Sequence, residues 1–160
     1  MPKTHIQKGL LIAACIILVD IVLHLTKYKL ANWSDYPARG VLFVGIIAAC
    51  LVFAKQQTTI TFSQLVGYGF KVATVVVCVL FLYTALSIYM VFPNYIDALF
   101  TQSIEEAKKQ VGFSMQEVEK NAVIAKKVIG ISILSGMVLL NLAIGLVAAV
   151  IAAIVFQKNK

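Results

Sequence analysis

VIGISILSGMVLLNLAIGLVAAVIAAIVF, residues 128–156, carries no charged side chain, and its reading decides the fold. As a helix rising 1.5 Å per residue it would be roughly 43 Å long, more than the ~30 Å hydrocarbon core of a bilayer. Lipid offers no partner to a free backbone N–H or C=O, so the stretch must satisfy those groups internally as a helix, and its excess length must tilt or project. Working outward, residues 72–92 form a second such stretch. Residues 40–54, between Arg39 and Lys55, form a third, and residues 9–26, interrupted only by Asp20 and His24, a fourth. The 40–54 stretch covers only roughly 22 Å, so its flanking polar side chains must snorkel or the bilayer must thin around it. The expected fold is all-α: a bundle of four transmembrane helices in one integral membrane domain, residues 1–160.

Composition points the same way. The chain has 160 residues, of which 61% are apolar and 13% charged, against about 25% charged in soluble domains. One small core could not hide that much apolar surface. A cleaved leader is the competing reading of residues 9–26, because Lys3 and Lys8 precede an apolar run. Asp20 interrupts the run, however, and Leu30, Ala31 and Asn32 make no small-x-small cleavage site after it. Cys15, Cys50 and Cys78 all fall within apolar spans; an odd set so placed speaks against a disulfide framework or a CxxC site and for small packing residues. The formal charge of +7 sits on residues that flank the spans, so membrane lipids with anionic headgroups are the expected partner, and nucleic acid is not.

An even number of spans puts both termini on one side, together with the connection from Lys55 to Lys71. That side carries Lys3, Lys8, Lys55, Lys71, Lys158 and Lys160 and no acid. The opposite side carries the other eight of the 14 basic residues, with Asp35, Asp97, Glu105, Glu106, Glu117 and Glu119. Counting Lys and Arg alone leaves orientation undecided. The acid-free side is expected in the cytoplasm, and the location expected is the cell inner membrane.

The connection 93–127 is patterned. Phe100, Ile104, Ala107 and Val111 recur at helical steps, Gly112 supplies a stop, and Ser114 with Glu117 forms a capping box that restarts the chain. Met115, Val118, Ala122, Ala125 and Ile129 then continue into the last span. An amphipathic helical hairpin is therefore expected between the third and fourth transmembrane helices, packed on itself, lying on the headgroups or docking a partner protein.

ITFSQLVGYGFKV (residues 60–72), YTALSIYMVFPNYIDAL (residues 83–99) and the acidic-basic helical segment before the last span carry a family resemblance. The chain resembles the domain-of-unknown-function family 4199, small four-helix membrane proteins of the Bacteroidota. The resemblance covers most of the chain and implies a fold and a membrane location, but no chemistry.

The residues offer two candidate sites. An aspartate at the centre of a span costs roughly 2.5 to 3.5 kcal/mol on insertion scales, so an acid in a span is a functional candidate. Asp20 is the one acid within a span, and His24 follows one helical turn later on the same face. Counting depth along the spans places Thr84, Ser87, Ser132 and Ser135 at a similar level, with Gly45 allowing a close backbone approach. These side chains are read as one polar patch: either a proton or cation site titrating at Asp20, or a satisfied interhelical hydrogen-bond cluster, with Lys27 one heptad along from Asp20. Asn141, Gly145, Ala149 and Ala152 share a second face, whose small residues and single amide point to helix packing within the bundle or in a dimer.

HExxH, GxSxG, Walker and CxxC patterns are all missing, and His5 and His24 are the only histidines. Neither catalysis nor a metal or cofactor is expected. The leading reading is a non-enzymatic structural or assembly component, with a homo-oligomer or a membrane protein as partner. The alternative is a small transporter or channel subunit that uses the Asp20 patch.

Overall fold

A computed structural model describes residues 4–26, 34–91, 94–108 and 122–157. Its helices are α1 (Thr4–Leu25), α2 (Asp35–Lys55), α3 (Phe62–Leu86), α4 (Asn94–Ala107) and α5 (Ala122–Phe156), and a π-helical turn, Ser87–Val91, extends α3. α1, α2, α3 with its π-turn, and α5 are each long and apolar enough to cross a membrane. Only 28% of each apolar window is buried within the chain. Leu18, Val44, Leu82 and Leu139 are among the large side chains left more than 60% exposed. In water such surfaces would be an aggregation hazard; in hydrocarbon they are the matching surface. The protein is a multi-pass membrane protein with an all-α fold.

All four spanning helices start five or more residues before the apolar run that announces them. α2 begins at Asp35, where Asp35 accepts a 2.9 Å bond from Arg39 one turn on and Pro37 sits in the first turn, where its missing N–H costs nothing. α3 begins at Phe62, so Lys71 is an exposed residue within the helix and not its edge. The cause is a reciprocal cap: Gln64 Oε1 accepts from the Thr61 N–H at 3.0 Å, and Thr61 Oγ1 accepts from the Gln64 N–H at 3.4 Å. α5 begins at Ala122 and runs for 35 residues. Gly112, Ser114 and Glu117 lie outside the described residues, as does the restart of the expected hairpin.

The chain divides into two compact units, residues 1–81 with 138–160, and residues 82–137. In the first unit α3 is central. A methyl built on Gly9 of α1 would lie 2.7 Å from Val75 Cβ and 3.2 Å from the Val72 carbonyl oxygen. Tyr68 lies beside Thr4, and Val72 and Val75 lie against Gly9 further along, so α1 and α3 run parallel. From α2, Phe53 stacks on Tyr68 with ring centroids 4.0 Å apart, and Cys50 packs on Gly69. Ile12 of α1 fills the space left by Gly45 of α2.

In the second unit the amphipathic α4 lies against the start of α5. Lys126 Nζ is 2.6 Å from Asp97 Oδ1 and 5.4 Å from the centroid of the Phe100 ring. The Tyr89 hydroxyl and Ile96 close over Gly130 at 3.0 and 3.5 Å from a methyl built there.

Candidate functional site

Asp20 and His24 lie in the last turns of α1, in the first unit. His24 Nδ1 is 3.1 Å from the Asp20 carbonyl oxygen and 3.3 Å from Asp20 Oδ2. Both partners are acceptors, so Nδ1 carries a proton that it shares between them. The side chains are 10% and 14% exposed, which shelters the pair from bulk water. A carboxylate beside an imidazole can hold a proton, and it can equally lock a helix end.

Thr84, Ser87, Ser132 and Ser135 belong to the second unit. Ser87 is buried in the π-turn, Thr84 is half-buried, and Ser132 and Ser135 are exposed. Ser135 Oγ donates to the Ile131 carbonyl at 2.9 Å and lies 3.3 Å from that of Ser132, so its hydroxyl is engaged by its own helix. Among the described residues no buried side-chain nitrogen or oxygen lacks a partner.

Around Gly145 the geometry is tightest. A methyl built there would lie 2.5 Å from Ala73 Cβ and 3.3 Å from Ile46 Cδ1. One turn along, a methyl on Gly69 would lie 2.6 Å from Ala149 Cβ and 2.9 Å from Cys50 Sγ. Gly69 and Ala73 on α3 thus face Ala149 and Gly145 on α5, each glycine receiving the other helix's alanine, and the two helices run antiparallel. Ala148, Ala149, Ala152 and Ala153 are fully buried, and Asn141 is half-buried on the same helix. Missing side chains let the backbones approach, and dispersion over that close contact is what holds helices together in lipid.

The pair Gly69 and Ala73 escapes a sequence reading that starts the third span at Val72 and leaves Gly69 in the connection, although their four-residue spacing is the same small-xxx-small signal as Gly145 and Ala149. A second feature not singled out in the sequence is an open apolar groove between α1 and α2, lined by Leu11, Ile12 and Cys15 on one side and Pro37, Gly40 and Val44 on the other. Of the cysteines, Cys50 is buried, whereas Cys15 and Cys78 are exposed on the spans.

No curated protein and no solved structure matches the chain. A family model described as protein of unknown function (DUF4199) matches residues 7–158, which is nearly the whole bundle, and the chain belongs to that family.

Proposed function

We propose that this multi-pass protein is a non-enzymatic structural or assembly component of the cell inner membrane, with both termini in the cytoplasm. The observation that carries the reading is the reciprocal contact of Gly69 and Ala73 with Ala149 and Gly145, a packing built for a fixed arrangement of helices. Hydroxyls on the spans support it: Thr74 donates to the Phe70 carbonyl at 2.9 Å and Ser135 to that of Ile131, so they serve their own helices. The wide lipid-facing apolar surface then meets lipid, a second copy or another membrane protein, and α4 adds a polar face for headgroups or a partner. Crosslinking in native membranes tests the reading. One fixed set of neighbours, lost when Gly145 is enlarged, is expected; crosslinks spread evenly over all membrane proteins would count against it.

A second reading, a small transporter or channel subunit, rests on the sheltered Asp20–His24 pair within a span. Replacing Asp20 by Asn separates the two. A proton-coupled role requires loss of activity with assembly intact, whereas a structural role tolerates Asn, which keeps shape and hydrogen bonding.

A further inference from the structure

Lys71 is exposed on the outer face of α3, and packing within the first unit fixes its level. Gly69 of α3 lies against Cys50 of α2 and Ala149 of α5, and Ala73 lies against Gly145, which also touches Ile46. Both α2 and α5 therefore run antiparallel to α3. A helical side chain covers the turn N-terminal to its own Cα, so the Lys71 stem leans over Gly67. Two residues before Gly69 on α3 correspond to two beyond Cys50 and two beyond Ala149, which are Val52 and Ile151. Val52 is 36% and Ile151 39% exposed, so the Lys71 ammonium emerges in an apolar belt of the bundle surface.

No carboxylate of the chain answers that charge. α2 is uncharged from residue 40 to 54 and α5 from 128 to 156, while α1, whose Thr4 lies beside Tyr68 and whose Gly9 meets Val72, brings His5 and Lys8 to this level. Among the described residues no acid pairs with Lys71. An ionisable side chain in a span is costly and almost always paired, so an anion from outside the chain fits here. A second copy inserted in the same orientation would meet this face level to level, bringing lysines and no acid, and like charges repel. The neighbours of Lys71 at helical steps, Gly67, Thr74 and Cys78, are small, and a methyl built on Gly67 meets nothing within 4 Å. Small residues let a second helix approach closely, which lipid tails do not require.

We propose that the face of α3 from Gly67 to Cys78 docks a transmembrane helix of a different membrane protein, through a carboxylate of that helix paired with Lys71. The site rests on the assembly role and gives the partner a chemistry: an Asp or Glu within an apolar span.

The test reconstitutes the full chain in phosphatidylcholine vesicles with polyleucine transmembrane peptides that carry one aspartate, at stepped depths, and reads association by energy transfer. At one depth the aspartate peptide should bind about tenfold more tightly than the all-leucine peptide, the scale of one hydrogen bond to a charged group. Lys71→Gln should erase that difference, and Lys71→Glu should reverse it in favour of a peptide carrying lysine. Position 71 is exposed, so both substitutions leave the core intact. Equal binding of aspartate and all-leucine peptides to the wild-type chain would show that lipid phosphate already satisfies Lys71 and would overturn the site. An aspartate preference that survives Lys71→Gln would overturn it too. Crosslinking in native membranes separates this site from the assembly role: neighbours lost when Gly145 is enlarged but kept in Lys71→Gln would sink the site and leave the role standing.

Discussion

Gly145 of α5 lies so close to Ala73 of α3 that an added methyl would come within 2.5 Å of the alanine Cβ. The two backbones therefore approach at a distance that only glycine permits, and the first unit is built around that approach. Gly145→Val should lower stability by about 1–3 kcal/mol through overpacking, read as an earlier transition in a denaturant titration in mild detergent. Gly145→Ala should also cost stability, and Ala73→Gly added to it should restore part of the loss. In the double variant the new methyl's nearest neighbour is Ile46 Cδ1 at 3.3 Å, a contact a small shift relieves. No recovery in the double variant would mean that another contact governs the site.

The start of α3 depends on the Thr61–Gln64 box. Thr61→Ala should cost about 0.5–2 kcal/mol, concentrated in the first turn, and amide exchange at Gln64 should speed up while exchange near Val76 stays slow. Uniformly faster exchange along α3 would show that the cap is not a local feature.

Asp97 and Lys126 join α4 to α5 on an exposed surface. A double-mutant cycle with Asp97→Asn and Lys126→Gln should give a coupling of about 0.2–1 kcal/mol that weakens as salt is raised. A coupling near zero, with Lys126→Gln alone still costly, would assign the contact to the Phe100 ring instead.

Span number and helical class are legible in the sequence because uninterrupted apolar length has one physical solution in lipid. Helix starts are not. Lys71 reads as a boundary because it is charged, yet a lysine stem can lie on apolar surface, and the helix passes straight through it. Asp35 and Arg39 read as flanking loop, but their pairing one turn apart keeps them helical. The four-residue step from Asp20 to His24 needs no tertiary knowledge, since spacing alone puts both on one face. Partners of Gly145 are different: small residues mark a contact face without naming the opposite helix, and Gly69 and Ala73 become identifiable only when the fold is known. The groove is hidden for the same reason, because its walls come from two helices.

The proposed orientation, with both termini in the cytoplasm, rests on the acid-free set of lysines. With the native cysteines replaced, Pro2→Cys should react with a membrane-impermeant maleimide only from the cytoplasm and Gln110→Cys only from the opposite side. Labelling of position 110 from the cytoplasm would reverse the orientation.

Proton flux in proteoliposomes, measured for the wild-type chain and for Asp20→Asn side by side, tests the structural role most directly. The expected result is that neither dissipates an imposed pH gradient faster than empty vesicles, and that Asp20→Asn folds to wild-type abundance because an amide can still accept from His24 Nδ1. A wild-type flux abolished by Asp20→Asn in a fully assembled protein would contradict the structural account and assign the pair to transport.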